Sequence, residues 1–486
     1  MSAIWTAALQ TSSHIIKRPL CAAAEKAATS LLENVSNGSL IIRTPSRTYC
    51  FGEQTGHTLN GPTAELTVRD AVFWVRLCAM GDLGFAESYM YGEIGCDDLV
   101  KVFLVFLANR EQLSAIDSSL FSRLVARMPQ LGLTAHIVNT VANARKNISA
   151  HYDISNNMFM GFLSKDMTYS CAIFPDLDGD LRSSSSTQSF SGTNTPALTG
   201  TSTPGTLAGS EDAQPKDFAF DALHLFGSKP TEAHRGSTRF DDPLEAAQYR
   251  KLHHIIQKAD IRPGHRVLEI GSGWGALAIL ITSTIPDTTV DTLTLSTQQA
   301  ALARARAEAA GVGERVTVHL MDYRNMPAEW EGAFDRMVSV EMVEAVGREY
   351  LETYWAKIDW ALDKETGVGV VQGITIPEAR FEQYTREVDF IRKWNIGPHY
   401  ARTLREWRRR FEARFEDTIV PALRAEYPGV MGLEDEKARE EIEVFRRKWI
   451  YYYCYCEVGF TTRRLGDHIV TFTREGNVGY GCQVYE

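Results

Sequence analysis

A glycine-rich turn between a buried strand and a helix is the strongest chemical signal in this sequence. The strand Val267–Ile270 carries one acid, Glu269, and the turn that follows reads Gly271-Ser272-Gly273-Trp274-Gly275. Glycines there let the backbone approach a ligand closely, and the helix N-terminus offers free N–H groups. The turn lacks the third-glycine spacing of a dinucleotide site and the Lys-Ser/Thr of a P-loop. A nucleoside ligand without a pyrophosphate therefore fits best, and a turn needed only for packing is the alternative.

The turn resembles motif I of class I methyltransferases, which use S-adenosylmethionine. Many members of that fold place an acid at the end of the second strand, where it binds the ribose hydroxyls. Here that end reads Leu293-Thr294-Leu295-Ser296-Thr297-Gln298-Gln299, without an acid. We expect hydroxyl groups and an amide to bind the ribose instead, which narrows the choice of family.

Further motifs occur in the order typical of one family of lipid enzymes. They are His151-Tyr152-Asp153-Ile154-Ser155-Asn156-Asn157, Met167-Thr168-Tyr169-Ser170-Cys171-Ala172, Glu341-Met342-Val343-Glu344-Ala345-Val346-Gly347, His399-Tyr400-Ala401-Arg402-Thr403-Leu404 and Tyr451–Phe460. Together they resemble the cyclopropane-fatty-acyl-phospholipid synthase family, which includes mycolic-acid cyclopropane synthases and related lipid C-methyltransferases. The resemblance covers residues 136–486 apart from an insertion, and residues 31–110 look like the N-terminal domain of the longer synthases.

The resemblance implies a reaction through a carbocation. The methyl of S-adenosylmethionine adds to a cis double bond of an acyl chain, a bound bicarbonate removes a proton from the added carbon, and a cyclopropane ring closes. A cationic intermediate needs anionic or π-rich surroundings and a dry site. The implied partners are an unsaturated acyl lipid or phospholipid and a peripheral membrane surface.

The resemblance also assigns catalytic residues. Glu344, just after a predicted strand, matches the acid that holds bicarbonate, so a raised pKa is expected; the alternative is an ordinary acid at a helix N-terminus. Tyr400 matches a second bicarbonate contact, with a half-buried packing tyrosine as the alternative. Cys171 matches a cysteine beside the anion. Gln372 replaces a histidine, so it can donate a hydrogen bond but carries no charge, which weakens the ring-forming assignment. Ala345 replaces a second common histidine.

Cys456 matches a family cysteine that is often designated catalytic. A thiolate would trap the cation, so we expect a pocket-lining residue or, slightly favoured, a structural one. The resemblance assigns cofactor contacts to the residues around the glycine turn, the second strand end and the Tyr-Ser-Cys-Ala motif: Tyr169, Ser170, Glu269, Gly271, Gly273, Trp274, Gly275, Thr294, Gln299, Asp322 and Tyr323. No His/Cys/Asp cluster has metal-ligand spacing, so no metal is expected.

The chain departs from the family at Trp394 and Asn395, where a few dozen family residues have no counterpart. Their loss predicts a missing edge strand and a more open acyl pocket, or else a truncated transcript. Two alternatives to ring formation therefore stay open. One is a lipid C-methyltransferase that leaves a methyl or methylene branch, and the other is an inactive lipid-binding relative.

From residue 244 onward, strands alternate with helices, which predicts an α/β, mostly parallel, Rossmann-like sheet. The predicted elements are helices Leu244–Ala259, Trp274–Ser283 and Gln298–Ala310 and strands Arg266–Ile270, Val290–Leu295, Val316–Leu320, Arg336–Val340 and Val368–Gln372. The methyltransferase domain is assigned to residues 131–175 and 240–486. Residues 176–239, rich in Ser, Thr, Gly and Pro, are predicted to be a disordered insertion.

A small α+β domain is predicted for residues 31–130, after an N-terminal extension, residues 1–30. Leu40–Arg43 and Thr48–Phe51 read as strands, Ala71–Met80 as a strand or short helix, Gly81–Gly84 as a turn and Leu99–Ala108 as a helix.

Composition limits partners and location. With 486 residues, 44% of them hydrophobic, and a net charge of −10, the chain has no electrostatic reason to bind nucleic acid. The basic cluster Arg405–Arg414 is balanced by acids nearby and is interpreted as a solvated, salt-bridged helix face. Eight cysteines without a Cys-x-x-Cys pair fit a reducing, cytoplasmic compartment, and the Ala/Ser-rich N-terminus leaves a mitochondrial location open. A homodimer is also left open.

Overall fold

The computed structural model describes residues 18–52, 61–113, 155–183, 241–376 and 398–480. Contacts divide the chain into two units, Met1–Leu177 with Leu244–Glu486, and Asp178–Pro243. In the second unit the described part includes a short helix, Gly179–Ser183. Most of the predicted insertion, the junction at Trp394 and Asn395, and motif residues 151–154 lie outside the described residues.

A four-stranded sheet forms the N-terminal part of the first unit. Its strands are β1 (Ser39–Arg43), β2 (Thr48–Gly52), β3 (Thr63–Val68) and β4 (Ile94–Gly95), in the order β2-β1-β3-β4. β1 pairs parallel with β3, and the other two pairings are antiparallel. The helices are α1 (residues 18–32), α2 (Val72–Met80), α3 (Asp82–Met90), α4 (Leu99–Ala108) and α5 (Arg110–Leu113).

Helix α1 packs into the core of this small α+β part. Its buried residues Cys21, Ala24, Ala28 and Leu32 recur every three or four positions, which places them on one helix face. Residues 18–30, which the sequence predicts to be an extension, therefore share the core of the small sheet.

The turn predicted at Gly81–Gly84 is shorter than expected. Gly81 alone joins α2 to α3, and Gly84 lies inside α3. A Cβ on Gly84 would lie 2.1 Å from the carbonyl oxygen of Arg76. This glycine therefore permits close helix packing rather than a turn.

The second sheet has six described strands in the order β10-β9-β8-β5-β6-β7. They are β5 (Arg266–Ile270), β6 (Thr289–Thr294), β7 (Val316–Leu320), β8 (Arg336–Val340), β9 (Val368–Thr375) and β10 (Gly466–Thr473). All neighbours are parallel except β9 and β10. The mostly parallel α/β sheet of a class I methyltransferase is confirmed.

Besides the short helix Gly179–Ser183, eight α-helices are described in this half of the chain. They are α6 (Asn156–Phe162), α7 (Pro243–Lys258), α8 (Ala276–Thr284), α9 (Thr297–Ala309), α10 (Leu351–Ala361), α11 (Pro398–Ala413), α12 (Val420–Glu426) and α13 (Glu436–Thr461). Shorter pieces are a π-helical turn at Phe415–Ile419 and 3-10 turns at Gly313–Arg315, Tyr323–Asn325, Ala328–Trp330, Val343–Ala345 and Arg348–Tyr350. The predicted strands and helices of this half agree with these bounds to within a few residues.

The long helix α13 takes part in two hydrophobic cores. Tyr451, Cys454 and Val458 pack with the small sheet, whereas Trp449 and Tyr453 pack in an aromatic core with α6 and α11. The sequence does not predict this shared helix, because its aromatic residues cover more than one face. None of the described helices is long and apolar enough to span a membrane.

The basic cluster on α11 is salt-bridged, as predicted, but only part of it is solvated. Arg405 and Arg408 lie 3.5 and 3.9 Å from the carboxylate of Glu457, and Arg409 lies 2.6 Å from Glu406. Arg409 is 66% exposed, whereas Arg410 is buried. The ion pairs hold α11 against α13, which is a structural role.

Candidate active site

Three glycines with positive φ form the turn between β5 and α8, and they differ in what surrounds them. A Cβ on Gly271 would lie 3.2 Å from Met342, and one on Gly275 would lie 3.2 Å from Ala303. A Cβ on Gly273 would meet no described atom within 4 Å. Packing therefore accounts for two of the glycines. Gly273, at φ 48, faces open space, which is the arrangement that a closely approaching ligand requires.

That open space belongs to a cavity of about 1130 Å³. Ten of the eleven predicted cofactor residues line it: Tyr169, Ser170, Glu269, Gly271, Gly273, Trp274, Thr294, Gln299, Asp322 and Tyr323. The eleventh, Gly275, packs under the turn. The volume and the lining fit a nucleoside-sized ligand such as S-adenosylmethionine.

Replacing Gly273 by Ala tests this assignment. We expect the affinity for S-adenosylmethionine, measured by calorimetry, to fall at least tenfold because the new methyl projects into the cavity. The matched control is Gly264→Ala, since Gly264 also has positive φ and no described neighbour within 4 Å but lies outside the cavity. Both changes should cost about 1–2 kcal/mol of stability through backbone strain. Equal affinities in the two variants would show that Gly273 does not face the ligand.

A buried polar cluster supports the turn from below. The hydroxyl of Thr292 lies 2.5 Å from Oε2 of Glu269 and 2.7 Å from Oγ of Ser272. Burial raises the pKa of Glu269 to about 8, against the hydrogen bond from Thr292 and the nearby Lys251 ammonium, which lower it. A pKa of about 8 means that Glu269 holds a proton over much of the neutral range.

Hydroxyl and amide groups replace the acid at the end of β6, as the sequence predicts. Thr294 lies 2.8 Å from Oε1 of Gln299, and Ser296 caps α9 by accepting from the backbone N–H of Gln299. Further along the rim, the carboxylate of Asp322 is paired with Arg324 at 2.6 Å, which lowers its pKa. Tyr323 packs edge-on against Tyr354 with its ring centroid 5.5 Å away.

Aromatic rings form one wall of the cavity. Phe159 lies 5.2 Å from Tyr169 and 5.0 Å from Trp274, and all three line the cavity. Trp407, which is fully buried, stacks on Tyr169 with ring centroids 4.9 Å apart. The indole N–H of Trp274 donates to Asn156 at 2.7 Å, which ties the glycine turn to α6. Such π-faces favour a bound cation.

A second polar cluster, the carboxyl cluster, lies where β8, β9 and β10 meet. It comprises Glu341, Glu344, Gln372 and Asp467. The amide of Gln372 donates to Asp467 at 3.1 Å and lies 3.4 Å from Oε1 of Glu341. The buried ammonium of Lys251 is close enough to favour the ionised forms of Glu341 and Asp467.

Glu341, rather than Glu344, receives the hydrogen bonds of the predicted anion site. The backbone N–H of Cys171 donates to its Oε1 at 2.6 Å, and the hydroxyl of Tyr400 donates to its Oε2 at 3.2 Å. Glu344 accepts one bond, from the N–H of Ile374 at 2.7 Å, and its other oxygen is buried without a partner among the described residues. Burial raises the pKa of both acids.

The backbone of Glu341 is in the left-handed region, at φ 50. For a residue with a Cβ this conformation costs about 1–3 kcal/mol. Glu341 is thus strained and half-buried, and backbone strain of this kind is often found at functional sites.

The cysteine thiols are poorly suited to nucleophilic attack. Cys171 is buried, and desolvation together with Asp467 and Glu341 raises its pKa well above the usual range. Cys456 is 2% exposed and packs in the aromatic core with α6 and α11. Neither lines the cavity, nor do Glu344, Tyr400 and Gln372. Of the carboxyl cluster, Glu341 alone reaches the cavity wall.

Sequence reasoning missed Lys251, Glu341 and Asp467. Lys251 is 0% exposed and its Nζ lies 2.5 Å from Oγ of Ser170. The signal for Lys251 is its position on the apolar face of α7, between Ala247 and Ile255. Glu341 stands first after β8, and Asp467 lies in a strand that the sequence does not predict. No group of His, Cys, Asp or Glu in the described ranges is arranged to hold a metal ion.

Comparison with known proteins supplies the family. The family model described as mycolic acid cyclopropane synthetase matches residues 139–189 and 237–394. Tuberculostearic acid methyltransferase UfaA1 from Mycobacterium tuberculosis is 30% identical over 431 residues, which cover 82% of this chain and 81% of that protein.

Two further proteins resemble the chain. Cyclopropane-fatty-acyl-phospholipid synthase from Escherichia coli is 27% identical over 446 residues, covering 87% of this chain and 91% of the synthase. The solved cyclopropane synthase MmaA2 from Mycobacterium tuberculosis has a TM-score of 0.44 at 18% identity, covering 68% of this chain and 98% of that structure. Because the 30% identity extends over four fifths of both chains, this chain belongs to the cyclopropane-fatty-acyl-phospholipid and mycolic acid cyclopropane synthase family of S-adenosylmethionine-dependent methyltransferases.

Proposed function

We propose that the enzyme transfers the methyl group of S-adenosylmethionine to a carbon of the double bond in an unsaturated acyl chain of a lipid. One observation carries the proposal: a single cavity joins the open glycine turn to the aromatic wall and to the half-buried Glu341. The relatives named above are lipid-modifying enzymes by name, and a relative from Emericella nidulans is named a sphingolipid C9-methyltransferase. The substrate class therefore follows the family.

The cavity residues suit a reaction through a cation. S-Adenosylmethionine would be held by the glycine turn and the end of β6 and would supply an electrophilic methyl group on a positively charged sulfur. Phe159, Tyr169 and Trp274 offer π-faces along the cavity, and Glu341 offers negative charge when it is ionised, both of which stabilise a nearby carbocation. The neutral thiol of Cys171 does not compete for the cation, because its raised pKa keeps it protonated.

Two products follow from the same cation, and they differ in what happens before the proton is lost. Loss of a proton from the added carbon closes a cyclopropane ring. If a hydride first shifts from the methylated carbon to its cationic neighbour, the same proton loss leaves an exocyclic methylene group. Gln372 favours the branched product as the second candidate, since it replaces the histidine that the resemblance assigns to ring-forming enzymes.

The product of the wild-type chain decides between them. We expect incubation with methyl-deuterated S-adenosylmethionine and a monounsaturated phospholipid in vesicles to give acyl chains that keep two of the three deuterium atoms. A cyclopropane resists catalytic hydrogenation, whereas a methylene branch takes up hydrogen, and mass spectrometry of the released acyl chains distinguishes them. Vesicles with saturated chains are the matched control and should take up no label.

Failure to label any unsaturated lipid would contradict this function. Calorimetry with S-adenosylmethionine then separates two explanations. A chain that binds the cofactor but labels no lipid acts on another substrate, whereas a chain that does not bind it is the non-enzymatic lipid-binding relative.

A further inference from the structure

The carboxylate of Glu341 occupies the position at which the family resemblance places a bound bicarbonate ion. The groups that the resemblance assigns to bicarbonate are Glu344, the Cys171 segment, Tyr400 and residue 372, and the last three lie around Glu341 here. In this chain the N–H of Cys171 and the hydroxyl of Tyr400 donate to the two carboxylate oxygens of Glu341, at 2.6 and 3.2 Å. The amide of Gln372 lies 3.4 Å from the first oxygen. A bicarbonate ion held by the same donors would overlap this side chain, so the site does not fit bicarbonate.

The backbone conformation of Glu341 is unfavourable for a residue with a side chain. Its φ of 50 lies in the region that favours glycine, and its N–H donates to the carbonyl of Gln372 at 3.0 Å. The positive φ immediately after β8 therefore places the side chain of Glu341 between β9 and the segment that carries Cys171. Glu341 is half-buried, and it lines the cavity together with Val340 and Met342.

We propose that Glu341 is the general base of the reaction, so that the protein itself supplies the carboxylate that accepts the proton. The proposal rests on the methyl transfer proposed above. The π electrons of the double bond form the new bond to the methyl carbon, whose bond to sulfur breaks with its electron pair kept by sulfur. The carboxylate of Glu341 then takes a proton from the added carbon. The released C–H pair closes the ring or forms the methylene double bond, and Glu341 returns the proton to water before the next turnover.

The charges around Glu341 suit this role. Desolvation, followed by the nearby Glu344 and Asp467, raises the pKa of Glu341. The N–H of Cys171 and the ammonium of Lys251 lower it. A carboxylate with a raised pKa is a stronger proton acceptor once it is ionised. Tyr400 remains a hydrogen-bond donor, because burial and Glu341 hold its own pKa well above the usual range.

The test compares two variants of the full-length chain in carbonate-free buffer. We expect wild-type activity on unsaturated phospholipid to change less than twofold when bicarbonate is added. Glu341→Gly removes the carboxylate, relieves the positive φ and empties the anion position, so activity should fall at least 1000-fold and recover at least tenfold with bicarbonate. Glu341→Gln loses the base but still fills the position, so its activity should fall similarly without recovery.

Two measurements besides activity accompany these assays. Calorimetry should give an affinity for S-adenosylmethionine within threefold of wild type in both variants, and Glu341→Gly should unfold at the same or a higher temperature. Wild-type activity that requires bicarbonate, or a Glu341→Gly variant that keeps its rate without it, overturns the assignment. Absence of methyl transfer by the wild-type chain instead refutes the proposed function.

Discussion

Replacing Lys251 by Met is expected to lower the free energy of unfolding by about 3–5 kcal/mol, because it removes the cation from a buried group of acids. Lys251 is completely buried, and its ammonium favours the ionised forms of Glu269, Glu341 and Asp467. Met has a similar length and no charge. The expected loss of stability would therefore come from the missing charge and not from an empty space left by a shorter side chain.

Urea unfolding followed by circular dichroism measures this change. The matched control is Lys258→Met in the last turn of the same helix, which should change stability by less than about 0.5 kcal/mol because this lysine is partly exposed. If Lys251→Met were as stable as the wild type, the neighbouring acids would be neutral without it and the lysine would not be their counter-ion.

Replacing Glu269 by Gln is expected to stabilise the protein at pH 8 by about 2–4 kcal/mol. Burial raises the pKa of this carboxyl from its usual 4.5 to about 8. Between these two values the folded protein keeps a proton that the unfolded chain releases, so the contribution of Glu269 to stability falls as the pH rises. At about 1.4 kcal/mol for each unit of pKa difference, the full effect is bounded near 5 kcal/mol. Gln carries no charge, so the variant does not lose stability in this way as the pH rises.

Denaturant unfolding at pH 5 and pH 8 tests whether the contribution of Glu269 to stability falls as the pH rises. The wild type should lose more stability between the two pH values than Glu269→Gln, and the exposed control Glu308→Gln should behave like the wild type. Asp467, whose pKa is about 7, contributes a slope of the same sign in all three proteins. Equal slopes for wild type and Glu269→Gln would contradict the raised pKa. Calorimetry on the same variant should show a weaker affinity for S-adenosylmethionine, since a carboxyl kept at a cost in stability indicates a ligand contact.

The sequence alone predicts the methyltransferase sheet well. Arg266–Ile270, Val316–Leu320 and Arg336–Val340 have the predicted bounds, because short apolar runs between helices are characteristic of buried parallel strands. The open turn at Gly273 was also predictable, since a strand–glycine–helix pattern encodes its own geometry over a few residues. The edge strand β10 was not predicted, because its exposed and buried residues do not alternate regularly.

The arrangement of the candidate active site depends on tertiary structure. Glu344 is the acid that the family motif marks, yet Glu341 receives the hydrogen bonds from Cys171, 170 residues away, and from Tyr400, 59 residues away. The motif fixes which residue types are present, but the positive φ after β8 decides which of two nearby carboxylates points at those donors. Lys251 likewise joins the candidate site only because the packing of α7 buries its ammonium near these acids. Local spacing therefore determined the fold and the glycine turn, whereas side-chain direction and desolvation, which depend on distant segments, decided which groups the candidate site brings together.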